Sequence, residues 1–153
     1  KRLSKTLSME YIDLDAEIES EAGLPIPELF RLYGEPYFRD LEHEALSKLS
    51  HRISCVVSTG GGAMTFQRNR MAVSPEDLVI FLDASFPVCY QRIQGSDRPL
   101  LRANTLEEFQ ALYENRRTAY EQAASLVVNA DASPQQVEAA VLEALQAAGF
   151  PHK

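Results

Sequence analysis

Three groups of residues in this chain have types and spacings suited to chemistry. In "IDLDAEIE", Asp13 and Asp15 stand two apart at the end of an apolar run. Residues i and i+2 of an extended segment face the same way. Carboxylates so paired can hold Mg²⁺ or orient a hydroxyl, although Asp15 equally suits the N-cap of a following helix. In "SCVVSTGGGAMT", Gly60, Gly61 and Gly62 follow a second apolar run. Glycine is the costliest residue to order, so three together need a reason. They are either a tight turn under a packed neighbour or a backbone whose N–H groups approach an anion or a hydroxyl. The third group is arginine: Arg39 in "YFRDLE", Arg98 in "DRPLL", and Arg116 and Arg117 in "ENRRTAY". Arginine grips a carboxylate or phosphate in a bidentate fork, or simply faces solvent. Arg98, beside Pro99 in a polar loop, stands where a mobile basic lid would be placed.

The elements that position these groups follow from periodicity and punctuation. Residues 1–8 read as the end of a helix, 10–15 as a strand, and 16–23 as a helix stopped by Gly23. Prolines open a helix at 25–34 that Gly34 closes. A longer amphipathic helix covers 35–50, with Phe38, Leu41, Ala45 and Leu49 on one face. Residues 53–58 form a buried strand running into the glycines, and "AMTF" a helix start. A further strand covers 77–83, a helix 85–94, a polar loop 95–104, and a long helix 105–124 with Thr105 as N-cap and Glu108 in capping-box position. A last strand covers 125–130. Ser133 and Pro134 open the terminal helix, 133–149. Apolar strands alternating with helices predict an α/β fold in three αβα layers, with a central parallel sheet covered on both faces. Ligands bind at the carboxyl ends of such strands, where Asp13, Asp15, the glycines and Asp83 fall.

The 153 residues suffice for one domain, expected over 1–153, without visible repeat or linker. The net charge of −7 argues against a nucleic-acid footprint. There is no run of about 20 apolar residues to span a membrane, and no apolar h-region of a signal peptide is visible. Cys55 and Cys89 lack metal-ligand spacing and read as small buried hydrophobes, which fits a reducing compartment. His43, His51 and His152 show no partner spacing, and Tyr37 and Tyr120 read as core.

Jointly, "YIDLDAEIE", "GLPIPELFRLYGEPYFRDLE", "STGGGA", "DRPLL" and "RRTAY" resemble shikimate kinase, a small P-loop enzyme of the nucleoside-monophosphate-kinase type. The resemblance covers nearly the whole chain, in order and spacing. It implies ATP-dependent phosphorylation of the shikimate 3-hydroxyl by a cytoplasmic, monomeric enzyme with ATP and Mg²⁺ as cofactors. Asp13 is then expected near Mg²⁺ through water, and Asp15 on the reacting hydroxyl as its base. Arg39 and Arg116 would clamp the carboxylate, and Gly60, Gly61 and Gly62 would present backbone N–H groups to shikimate. Arg98 would reach from the lid, about 95–104, to the transferred phosphate, and Arg92 would lie near adenine. Glu42 would orient Arg39, and Phe30, Phe38 and Pro99 would line the pocket within substrate-binding helices of about 16–50. Phosphoryl transfer needs positioning and charge stabilisation, which this set supplies.

One element departs from the family pattern. No Gly-Lys-Ser/Thr loop is found, since Arg2 follows Lys1. The expectation is a natural chain that carries the first strand and phosphate loop upstream. Two other readings compete: a kinase-like module that senses a small carboxylate without turnover, within a larger regulator, and a related sugar-acid kinase such as gluconate kinase.

Overall fold

The computed structural model describes residues 1–93 and 105–150. The expected lid, with Arg98 and Pro99, lies outside the described residues. The chain divides into two compact units, Lys1–Asp77 and Leu78–His152, and each is described by itself.

In the first unit a short helix α1 (Arg2–Thr6) leads into strand β1 (Glu10–Asp13), then helices α2 (Leu14–Ala22), α3 (Ile26–Tyr33) and α4 (Glu35–Leu49). Strand β2 (Cys55–Ser58) follows, then a 3₁₀ turn over Ala63–Thr65 and helix α5 (Gln67–Ala72). Strands β1 and β2 pair in parallel, in register from Glu10 opposite Cys55 to Asp13 opposite Ser58. The strand ends earlier than expected. Asp13 Oδ1 accepts hydrogen bonds from the backbone N–H of Asp15 (3.0 Å) and Ala16 (3.4 Å), which makes Asp13 the N-cap of α2. Asp15 therefore lies inside the first helical turn and is not the cap. The two carboxylates do not share an extended segment, so the expectation that they face the same way on a strand is corrected. Leu14 and Ile18, one helical turn apart, are buried beneath α2. Gly23 ends that helix in the left-handed conformation, φ 73°, which favours glycine.

The core of this unit joins Ile12, Leu14 and Ile18 to Leu29, Phe38, Ala45, Leu46 and Leu49, with Ala63 and Met64 from the turn after the glycines. Leu41 is only half-buried, and the position beside it in the buried face is taken by Glu42. An apolar periodicity cannot announce a buried carboxylate.

In the second unit, strand β3 (Ile80–Asp83) is followed by α6 (Phe86–Ile93), then α7 (Leu106–Ala123), strand β4 (Leu126–Asn129) and α8 (Pro134–Ala147). β3 and β4 pair in parallel, from Ile80 opposite Leu126 to Asp83 opposite Asn129. Thr105 caps α7 through Glu108 N–H (3.2 Å). Ser133 and Gln136 form a complete capping box on α8. Phe86 lies at the centre of a ring cluster with Tyr90, Phe109 and Tyr113.

Parallel βα units are as the sequence predicts, but the strands are shorter, and Leu82 and Val127 are more than half exposed. Each described ladder has two strands. Cys55 and Cys89 are half-buried free thiols, each raised in pKa by burial. Tyr37 is exposed and packs against Tyr33, with ring centres 4.6 Å apart. No helix among the described residues is long and apolar enough to cross a membrane.

Candidate active site

In the first unit, the ends of β1 and β2 bring Asp15 against the glycine loop. A Cβ placed on Gly60, whose φ is 73°, would lie 3.2 Å from Asp15 Oδ2. Two residues on, a Cβ placed on Gly62 would lie 2.5 Å from Arg39 Nη1 and 2.7 Å from Nη2. Glycine is thus needed at 60 for backbone conformation and at 62 for close approach to a guanidinium. The glycine backbone thus packs closely against two of the protein's own charged side chains, Asp15 and Arg39.

Arg39 is fixed from several directions. Its Nη1 donates to both oxygens of Glu42, at 3.0 and 3.2 Å, one helical turn along α4. Its Nε donates to Glu35 Oε1 (3.3 Å). The guanidinium carbon stands 5.2 Å from the centre of the Phe38 ring and 5.0 Å from that of Phe66, within the range of cation–π attraction. The side chain of Arg39 keeps 17% of its surface exposed, against 2% for Glu42. Glu42 therefore orients Arg39 from the interior, as the resemblance implies, and leaves part of the arginine fork for a ligand. Burial raises the Glu42 pKa above its ordinary value, while the hydrogen bond and charge of Arg39 pull it back and the charge of Asp15 adds to the rise. Burial likewise raises Asp15, helped by the negative charges of Asp13 and Glu19 and opposed by Arg39.

Phe30 and Phe38 stack with ring centres 4.9 Å apart, Phe38 buried and Phe30 at the surface, which suits a pocket wall. Asp13 is exposed, and among the described residues its Oδ2 accepts no hydrogen bond. Among the described residues, no three His, Cys, Asp or Glu side chains gather as metal ligands. Mg²⁺ takes one or two carboxylates and completes its shell with water and phosphate oxygens, so a single free carboxylate oxygen at a strand end fits that ion.

The arginines of the second unit differ in their partners. Arg117 pairs with Asp83 (2.9 Å) and Glu121 (3.1 Å) and donates weakly to the Tyr113 hydroxyl, which in turn donates to Ala84 O (2.6 Å). Arg116, half-buried, makes no ion pair among the described residues. It lines a cleft of about 190 Å³ with Phe81, Phe109, Leu112 and Tyr120. Arg92 donates to the carbonyls of Ala130 (2.7 Å) and Ala132 (3.1 Å), strapping the chain after β4.

Sequence reasoning missed two groups. Phe66 closes the "AMTF" stretch expected to start a helix, and is the N-cap of α5, but nothing in that stretch announces its contact with Arg39. The second is a hydrogen-bonded link between α4 and α5 through His43 and Asn69 (2.8 Å). Its only signal is a histidine facing an asparagine 26 positions away.

Comparison with known proteins identifies the family. The family model described as shikimate kinase matches residues 1–146. Shikimate kinase from Ruegeria pomeroyi is 39% identical over 131 residues, covering 84% of this chain and 67% of that protein. The enzyme from Persephonella marina is 37% identical over 138 residues, covering 90% and 84%. A solved structure of shikimate kinase from Acinetobacter baumannii in complex with shikimate superposes with a TM-score of 0.87 at 28% identity, over 97% of this chain and 85% of that one. Fold and sequence together place the protein among the α/β small-molecule kinases of P-loop type. Within that class, the chain belongs to the shikimate kinase family.

Proposed function

We propose that this protein transfers the γ-phosphoryl group of ATP to the 3-hydroxyl of shikimate, releasing ADP and shikimate 3-phosphate. The observation that carries this reading is the paired approach of Gly60 to Asp15 and of Gly62 to a buried-carboxylate-held Arg39, in a chain of this family. A small polyol acid presents one carboxylate and several hydroxyls. Arg39 supplies a fork for the carboxylate, and Asp15 an acceptor for a hydroxyl proton. Because its pKa is raised, Asp15 is a better base than an ordinary aspartate. The glycine loop presents backbone N–H groups between them.

The remaining roles rest on the family resemblance. Arg116, without an ion pair among the described residues, is a second carboxylate ligand. Arg98 contacts the transferred phosphoryl group from the lid, about 95–104, and Arg92 lies near adenine. Asp13 holds Mg²⁺ through water, and that ion would supply charge neutralisation on the phosphates. We further propose one kinase domain over 1–153, acting as a cytoplasmic monomer. A module that senses a carboxylate without turnover is not favoured, since the relatives carry the enzyme's name.

The test is ADP release by the full natural chain with shikimate, gluconate and no acceptor. Release that depends on shikimate alone is expected. No shikimate-dependent release, or equal release with gluconate, overturns the proposal.

A further inference from the structure

The turn after the glycines is held by side chains at three successive carbonyls. Thr65 donates to Gly62 O (2.6 Å), Asn69 Nδ2 to Ala63 O (2.8 Å), and Arg70 to Met64 O (2.8 Å). Asn69 differs from the other two because it is bonded at both ends of its amide. It is 1% exposed, and its Oδ1 lies 2.8 Å from His43 Nδ1 on α4. The carbonyl of Ala63 can only accept, so the NH₂ of Asn69 must point at it. The oxygen of Asn69 must then face His43, and His43 Nδ1 must carry the hydrogen. The chain His43 Nδ1–H to Asn69 to Ala63 O has one polarity.

We propose that His43 and Asn69 are positioning residues for the substrate site, acting by setting the distance between the glycine loop and Arg39. The inference rests on the reading of that site as the shikimate site. Helix α4 carries Arg39, Glu42 and His43 within five residues. Gly62 approaches Arg39 closely enough to leave no room for a methyl group, so a shift of a few tenths of an ångström between α4 and the loop alters the cradle. Besides the buried link, one ion pair among the described residues ties α4 to α5, that of Asp40 with Arg68. Both of those side chains are largely exposed, and exposed pairs constrain little. The amide at 69 is therefore the firm connection, and aspartate cannot replace it. A carboxylate can accept from His43 but cannot donate to Ala63 O, and would set two acceptors against each other.

The test compares Asn69→Asp, His43→Phe and His43→Gln in the intact enzyme. Asn69→Asp is expected to raise the KM for shikimate about tenfold or more, and His43→Phe about three- to tenfold. The KM for ATP should stay within about twofold. His43→Gln, which keeps a donor, should restore shikimate KM most of the way. Amide hydrogen exchange across residues 60–66 is read in parallel and needs no turnover. Faster exchange in His43→Phe, reversed in His43→Gln, is expected. Unchanged exchange and unchanged shikimate KM in His43→Phe overturn the proposal even if Asn69→Asp does not fold. Should the wild-type enzyme show no shikimate-dependent activity, the functional reading fails, and exchange alone then decides whether the link orders the loop.

Discussion

Gly62 and Arg39 are so close that a single methyl group on the glycine would overlap the guanidinium, at 2.5 Å from Nη1. The arginine cannot step aside without leaving Glu42, which holds Nη1 from the interior. Gly62→Ala should therefore displace the fork without unfolding the protein, since the clash falls at the far end of a side chain. A charge-assisted hydrogen bond is worth ~1.5–3 kcal/mol, so the KM for shikimate should rise about 10- to 100-fold. Steady-state kinetics alongside a melting curve check this. An unchanged KM would show that Arg39 does not contact substrate.

Asp15 gives a prediction in pH. Burial, Asp13 and Glu19 raise its pKa above the ordinary 3.8, and a base acts only when ionised. The acid limb of kcat/KM should therefore lie above that value, with activity lost as pH falls through the raised pKa. Glu19→Gln removes one of the negative charges, while its side-chain oxygen can still accept from Ile26 N–H. The acid limb should then move to lower pH. A profile that does not move, or moves up, would assign the limb to another group. Asp15→Asn should depress kcat strongly while leaving the melting temperature nearly unchanged.

How far the sequence revealed this site depends on the kind of signal. The βα alternation, the caps at Thr105 and Ser133, and the stop at Gly23 were legible because each rests on local backbone chemistry. The pairing of Glu42 with Arg39 was legible through resemblance and fits helical spacing. The cap falls on Asp13, where the alternative reading places it on Asp15, because an Asp two residues either way serves equally and only the strand end decides. Phe66 and the His43–Asn69 link were invisible, since tertiary packing alone brings α5 to α4.

The Arg39–Glu42 pair also links the site to stability. Burial raises the Glu42 carboxyl above its ordinary 4.5, and Arg39 restrains that rise. In Arg39→Ala the restraint is gone and the folded-state pKa climbs further. Between the unfolded and folded values, the unfolded chain has released a proton that the folded one keeps, so stability falls as pH rises. Arg39→Ala should melt progressively lower from about pH 4.5 upward, and should lose roughly 2–5 kcal/mol of substrate binding. Adding Glu42→Gln removes the unpaired charge. The double variant should recover melting temperature near neutral pH but not substrate affinity. Recovery of both would mean that Arg39 serves the fold alone.

Neighbouring arginines on α7 separate the roles once more. Arg117 is engaged by Glu121, Tyr113 and Asp83, which together hold its proton more tightly than usual. Arg116 has no ion pair among the described residues and faces the cleft beside Tyr120. Arg117→Ala should lower the melting temperature, because it strips Asp83 at the end of β3 of its partner, while shikimate KM stays within about twofold. Arg116→Ala should do the reverse. If Arg116 is a carboxylate ligand, its loss raises shikimate KM by about tenfold or more, as for one partner of a close charge pair, with little change in melting. Arg116→Lys should recover only part of that affinity, because an ammonium keeps the charge but not the fork. A pair of variants with the two effects exchanged would move the substrate role to Arg117 and make Asp83 its support.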